Sequence, residues 1–311
     1  MKKYAIGADI GGSHISCALV DMFEGHIVAD SHTEIKIDNK ASANEILNGW
    51  RDAIASTIEK AGRENVVGVG FAMPGPFAYD KGIALFDESV AKFQKLYNVN
   101  VANELADRLQ TNGSIPFRFM NDASAFAAGE AWLGEAVKVT KSVSITLGTG
   151  FGSAFVAEGL PVVEGEGVPS MGCVWHLPFK NGIGDDYFST RWCIACWEEL
   201  SGKKVNGVKP IADAASTNSK AKSLLEEYGS NMGEFLGPWL KSFGAEMLVI
   251  GGNVSGAYNL FGTAFEAELK KQGVDVQIAI SGLKEDAAII GSARMLDDAY
   301  FKQIEQVLPL M

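Results

Sequence analysis

The feature that most constrains the fold of this chain is a local pattern that occurs twice. Tyr4-Ala5-Ile6-Gly7-Ala8-Asp9-Ile10 has the make-up of a buried strand, breaks at Gly11-Gly12-Ser13, and resumes as a second strand from Ile15 to Val20. Gly25 then turns the chain into a third strand from His26, which makes a meander around a glycine-rich turn. Val143-Ser144-Ile145-Thr146-Leu147, Gly148-Thr149-Gly150 and Phe151 to Val156 repeat strand, glycine turn and strand, and end at Glu158-Gly159. Gly11 falls on Gly148 and Ser16 on Ser153, an offset of 137 residues in both cases. An echo of this length implies two similar domains, each opening with the same unit.

Between and after the two copies, the elements alternate. Ala43 to Lys60 reads as a helix with Ile46, Leu47, Trp50, Ile54 and Ile58 on one face, and Val66 to Phe71 as a buried strand stopped by Pro74-Gly75-Pro76. A helix over Ala102 to Leu109 precedes a strand near Phe117-Arg118-Phe119-Met120, and Ala123 to Leu133 is again helical. Glu246 to Ile250 is a buried strand running into Gly251-Gly252-Asn253, Asp275 to Ile280 another, and Ala287 to Leu296 a helix whose small residues permit close packing. Residues 160–200 show no regular period, and the polar stretch 203–222 reads as a loop leading into a helix. Strands alternating with helices give an α/β fold.

Composition then removes whole classes of function. A chain of 311 residues, 47% hydrophobic and 21% charged, buries an ordinary core and suits two domains. Its formal net charge of −11 opposes binding to phosphate backbones, so nucleic acid is not an expected partner. Four cysteines are too few for a disulfide scaffold. Asp9 and the glycines after it interrupt the apolar run that an export signal needs, and no stretch approaches the roughly 18 residues that span a bilayer. A cytoplasmic protein with no membrane partner is the expectation.

Three glycine turns follow three buried strands: Asp9-Ile10-Gly11-Gly12-Ser13, Leu147-Gly148-Thr149-Gly150 and Gly251-Gly252-Asn253. Glycine lets backbone N–H groups approach an anion with no Cβ in the way, and the hydroxyls of Ser13 and Thr149 add donors. One such turn is weak evidence; two related by a repeat and a third after a late strand point to phosphate. There is no GxxxxGK[ST] loop and no Gly-x-Gly-x-x-Gly fingerprint in the first unit. Asp9 is placed to order a hydrated Mg²⁺ ion, and His14 to face the phosphates. Asn121-Asp122 stands at a strand-to-helix junction, where Asp is a favoured N-cap. Beside phosphate turns its carboxylate suits another task, taking the proton of a hydroxyl that receives a phosphoryl group. His26, His32 and the pair Asp185-Asp186 read as surface residues.

Taken in order, Asp9-Ile10-Gly11-Gly12-Ser13-His14, Pro74-Gly75-Pro76, Asn121-Asp122-Ala123-Ser124-Ala125, Leu147-Gly148-Thr149-Gly150-Phe151-Gly152 and Gly251-Gly252-Asn253 make the chain resemble the ROK family within the actin/hexokinase-like ATPase superfamily. The resemblance implies two similar ribonuclease H-like, actin-like ATPase domains with an active-site cleft between them. The expected division is residues 1–120, joined by a C-terminal helix over about 297–311, and residues 121–296. It implies a sugar kinase using ATP and Mg²⁺, with Asp122 as base on a sugar hydroxyl, O6 of a hexose being the expected acceptor. Asn121, His176 and Glu198 would contact the sugar, and a homodimer is expected.

The departures matter as much. The family's Gly-Glu-Ile-Gly-His segment reads Gly172-Cys173-Val174-Trp175-His176, which keeps the His and replaces the Glu by Cys173. Of the family's zinc cysteines only Cys196 has a match, the other two positions reading Ser189 and Arg191, so structural zinc is not expected. Cys173, His176, Cys193 and Cys196 could rebuild a tetrahedral site, but Trp192, Ile194 and Trp197 make the second pair look like a hydrophobic helix carrying buried thiols. The family also contains repressors, so a non-catalytic sugar-sensing regulator is the alternative. The first strand begins at Tyr4, with no room before it for their DNA-binding segment, which favours the kinase.

Overall fold

The structure, a computed structural model, describes residues 3–111 and 113–311. It comprises two compact units, Met1–Val137 with Glu285–Met311, and Lys138–Lys284.

In the first unit, β1 (Tyr4–Ile10), β2 (His14–Asp21), β3 (His26–Ile27) and β4 (Thr33–Lys36) lead into α1 (Ala43–Ala61). α1 starts where it does because Ser42 and Glu45 form a capping box: Ser42 Oγ accepts from the Glu45 amide and Glu45 Oε2 from the Ser42 amide, at 3.3 and 3.0 Å. Its stripe of Ile46, Leu47, Trp50, Ile54 and Ile58 is buried, as the spacing predicts. There follow β5 (Val66–Met73), a small hairpin of β6 (Phe77–Ala78) and β7 (Ile83–Ala84), α2 (Val101–Arg108), β8 (Phe117–Asn121) and α3 (Asp122–Leu133). The sheet runs β3-β2-β1-β5-β8, with β4 also paired to β2. β1, β5 and β8 are parallel, so their C-terminal ends share one edge, the edge at which open α/β sheets bind ligands.

The second unit has β9 (Lys141–Leu147), β10 (Phe151–Ala157) and β11 (Leu160–Val162), then a two-stranded hairpin of β12 (Pro178–Phe179) and β13 (Gly182–Ile183). Helices α4 (Gly184–Phe188), α5 (Thr190–Ser201), α6 (Lys209–Ala214) and α7 (Ser219–Phe243) precede β14 (Met247–Gly251), α8 (Tyr258–Lys271) and β15 (Gln277–Ile280). The sheet order β11-β10-β9-β14-β15 reproduces that of the first unit, antiparallel over the opening meander and parallel thereafter. The internal echo is therefore a true structural repeat, with one adjustment of register. Ile10 pairs with Ile15 across a four-residue turn, whereas Leu147 pairs with Phe151 across a three-residue turn. The second strands thus match with Ile15 on Phe151, and the partner of Ser16 is Gly152 rather than Ser153.

The divisions anticipated near residues 121 and 296 both fall inside the first unit. β8 belongs to the first sheet, and α3, which continues directly from it, packs against the returning helix Asp286–Arg294. That helix docks by close backbone approach. A Cβ at Gly70 would stand 1.9 Å from the Ser292 carbonyl oxygen, and one at Gly291 would stand 1.8 Å from that of Ala125. Residue 160–200, unreadable by period, are fixed instead by aromatic packing. Phe188 is fully buried, with ring centroids 5.2 Å from Phe151 and 5.1 Å from Phe235, and the Tyr228 hydroxyl donates to its carbonyl at 2.9 Å.

Candidate active site

Three of the expected residues come together at one edge of the first sheet. Asp9 at the end of β1 lies opposite Ala72 of β5, and Met73 lies opposite Asn121 of β8. Two strand spacings, about 10 Å, separate the backbones of β1 and β8 there. Asp122 then opens α3. Burial pushes the Asp9 carboxyl up to about 7, with the neighbouring Asp122 and then Glu285 adding to the rise. Asp122 is also raised, by desolvation, against the opposing pull of the Ala123 amide and the Lys92 ammonium. Two carboxylates held in each other's field at a strand-end edge carry a folding cost that packing does not explain, and such groups concentrate at functional sites.

The helix cap falls to Asn121. Its Oδ1 accepts from the Ala123 and Ser124 amides at 3.0 and 3.2 Å, and its Nδ2 donates to the Tyr79 hydroxyl at 3.3 Å. Asp122 Oδ1 accepts from the Ala123 amide at 2.9 Å, and its own amide and the Asn121 side chain also hydrogen-bond the carboxylate. The carboxylate is therefore not needed to cap the helix. The first glycine turn closes with the Gly11 amide donating to the His14 carbonyl at 2.9 Å. His14 folds back over this turn, its Nδ1 3.3 Å from Ser13 Oγ and its ring against the Gly11 α-carbon. Asn39 Nδ2 donates to the Gly12 carbonyl, which fixes the turn from outside.

In the second unit, two glycine turns lie side by side, since β9 and β14 are parallel neighbours with Gly251 opposite Thr146. Gly252 takes a φ of 79°, and a Cβ there would meet the Leu147 carbonyl oxygen at 2.4 Å, so the third turn needs glycine for packing as well as for any ligand. Asn253, exposed, begins the short helical turn Asn253–Ala257. Gly148 is different: a Cβ there meets nothing within 4 Å, so the turn opens onto free space that a side chain would fill. Thr190 Oγ1 and the Thr190 amide both donate to the Gly148 carbonyl, at 2.7 and 2.8 Å. Asp185 Oδ1 accepts from the Phe151 amide at 2.7 Å, and Arg191 joins Asp185 Oδ2 at 2.5 Å to the Thr149 carbonyl at 2.9 Å. Asp185, expected as part of a solvated turn, instead braces the second glycine turn.

His176 has Cys173 Sγ 3.7 Å from Nδ1 and Ser170 Oγ 3.4 Å from Nε2, and burial lowers its pKa. Glu198, on α5, pairs with Lys204 at 3.6 Å; no hydrogen bond joins it to His176 among the described residues. Cys193 is buried in the core of the second unit with its thiol pushed up to about 12 by desolvation, while Cys196 is only partly buried on the same helix. Among the described residues, no three His, Cys, Asp or Glu side chains converge as a metal-binding group. His26 and His32 pair with Glu24 and Asp286 at half-exposed positions.

The model of the ROK family matches residues 5–299. The chain belongs to the ROK family. A glucokinase of Thermotoga maritima is 26% identical over 96% of this chain and 98% of its own length. A xylose repressor of Caldicellulosiruptor bescii is 24% identical over 94% of this chain and 77% of its own. A ROK glucokinase of Streptomyces griseus, solved with glucose and AMPPNP, is 22% identical and superposes with a TM-score of 0.71 over 94% of this chain and 98% of that one. These likenesses establish the two-domain actin-like ATPase fold. No described helix is long and apolar enough to cross a membrane.

Within this ROK chain, two features escaped the sequence. Arg191, at a zinc-cysteine position of the family, ties the second glycine turn to Asp185. Lys92 lies on a segment with no motif at all, yet its ammonium comes against Gly12, where a Cβ would meet Nζ at 2.7 Å.

Proposed function

We propose that this chain is an ATP-dependent sugar kinase that phosphorylates a hexose or hexose derivative at a hydroxyl, O6 being the inferred acceptor. The observation that carries the reading is the Asn121-Asp122 junction: Asn121 caps α3, which releases the desolvated Asp122 carboxylate beside Asp9 from the capping task. In the reaction the acceptor oxygen forms a bond to the γ-phosphorus and its proton passes to Asp122. The bond from the γ-phosphorus to the bridging oxygen breaks, and its electron pair leaves with ADP. The kinase relatives support this class of donor and acceptor.

The residues present fit ATP and Mg²⁺. Gly148 leaves open space for nucleotide phosphates, with Thr149, Gly150, Gly251, Gly252 and Asn253 as its proposed partners, while Gly11, Gly12, Ser13 and His14 form the proposed phosphate turn beside Asp9. Asp9, a hard oxygen donor whose carboxyl is raised to about 7 first by burial and then by Asp122, would hold hydrated Mg²⁺. Bound there, the ion would neutralise phosphate charge. Asn121, His176 and Glu198 would contact the sugar. Cys173 supplies only a weak acceptor where the family has a carboxylate, so the panel of acceptors to be tested extends beyond glucose. ATP as donor and the free cysteines favour a cytoplasmic setting.

Coupled ADP release across a panel of hexoses and N-acetylhexosamines tests the reading, and ³¹P NMR of the product locates the ester. Sugar-dependent ADP release is expected for at least one member. A sugar that raises the melting temperature while none releases ADP would instead establish the regulator, a reading to which the xylose repressor gives weight. The phosphate assignment has its own test in Gly148→Val. The position is open and its φ is not left-handed, so the melting temperature should hold. Two methyl groups would occupy the proposed phosphate space, so ATP affinity should fall at least about tenfold, ~1.4 kcal/mol. Unchanged affinity in a folded variant would remove the second turn from the site.

A further inference from the structure

We propose that Lys92 is a catalytic cation that grips the γ-phosphoryl group during transfer, an inference that rests on the kinase reading for its reaction but not for its ligand. The side chain lies along the first glycine turn: a Cβ at Gly12 would stand 2.7, 2.8 and 3.1 Å from its Nζ, Cε and Cδ. The same ammonium exerts a favourable field on the Asp122 carboxylate. It therefore lies along the proposed phosphate turn, with its charge felt by the base that takes the acceptor's proton. Among the described residues it has no hydrogen-bond or ion-pair partner, so its charge is available to a ligand.

Its placement is built by the fold. Phe93, the next residue, is fully buried with its ring 5.5 Å from Trp50 and 5.6 Å from Phe86, in a left-handed conformation with φ 59°. The Phe93 amide donates to the Asn39 carbonyl at 3.0 Å, and the Asn39 side chain donates to the Gly12 carbonyl. Lys92 and the glycine turn are thus tied to one residue, Asn39, from its two sides. As the phosphoryl transfers, charge spreads over its equatorial oxygens while the bonds to donor and acceptor exchange, and a cation already in place strengthens its attraction at that moment.

Lys92→Met keeps the length of the side chain and removes the charge; Lys92→Arg restores a charge. Calorimetric titration with AMPPNP and, separately, AMP, each with Mg²⁺, reads the contact without turnover. Lys92→Met should bind AMPPNP about tenfold to a hundredfold more weakly than the parent, the range for a charge-assisted hydrogen bond, with AMP unchanged. Its kcat for the best sugar should fall by a similar factor with sugar KM nearly constant, and Lys92→Arg should recover part of both. Unchanged AMPPNP binding and kcat, or a change confined to sugar KM, would overturn the proposal. If the parent binds AMPPNP through Lys92 but phosphorylates no sugar, the kinase reading fails while the phosphoryl contact stands. If AMPPNP does not bind the parent at all, both fail.

Discussion

Asp122→Asn is expected to lower kcat by about 10²–10⁴-fold while leaving sugar affinity and melting temperature close to those of the parent. The expectation divides cleanly because the two tasks open to an Asp at the head of a helix are here carried by different residues. Asn121 Oδ1 takes the Ala123 and Ser124 amides, so the cap survives the change. The bond from the Ala123 amide to Asp122 Oδ1 at 2.9 Å has an equivalent acceptor in the side-chain oxygen of Asn. What the amide cannot do is take a proton from the acceptor hydroxyl. The loss should appear in kcat with little change in KM, since the interaction removed is one made in the transition state. Relief of a desolvated charge beside Asp9 works, if anything, in favour of the folded state. A variant that melts like the parent and keeps more than about a tenth of its kcat would make Asp122 structural and require another base.

How far these residues could be found without coordinates depended on whether local sequence alone determined them. Strand, glycine turn, strand is a local pattern, and both copies were legible, as was α1 with its buried stripe and capping box. The one-residue difference between the two turns was not, because a hairpin's register is set by pairing rather than by composition. α3 was legible as a helix, but its membership in the first unit was not, since that follows from β8 joining the first sheet and from backbone contacts with a helix more than 150 residues away. In residues 160–200 Phe179 and Phe188 pack on Phe235 and Tyr228 of α7, contacts no local period reveals, although α5 within this range buries Cys193 and Trp197 at helical spacing. Asp185 and Lys92 illustrate the same limit at the site. Each is a charged residue outside any readable motif, and each gains its meaning from a turn distant in sequence: Asp185 from the Phe151 amide, Lys92 from Gly12.

Asp9→Asn should separate stability from function in opposite directions. The Asp9 carboxyl is raised from 3.8 to about 7 in the folded protein, first by burial and then by Asp122 and Glu285. Between those values the folded chain holds a proton that the unfolded chain releases, so stability from this group is full at low pH and declines as pH rises through 7. Asn carries no such titration. The variant should therefore gain in melting temperature over the parent as pH rises from about 4 to 7, and hold that gain at pH 8. The same change removes the oxygen charge proposed to hold Mg²⁺, and kcat/KM for ATP should fall by several kcal/mol of transition-state stabilisation, on the order of 10²-fold or more. Mg²⁺ should raise the melting temperature of the parent at pH 8, do so less at pH 6 where the proton competes, and leave the variant unmoved. A buried carboxylate kept only for packing forecasts a different outcome. In that case Asp9→Asn would gain stability at pH 8 and lose no more than about tenfold in kcat/KM, because nothing that touches the phosphates would have been taken away.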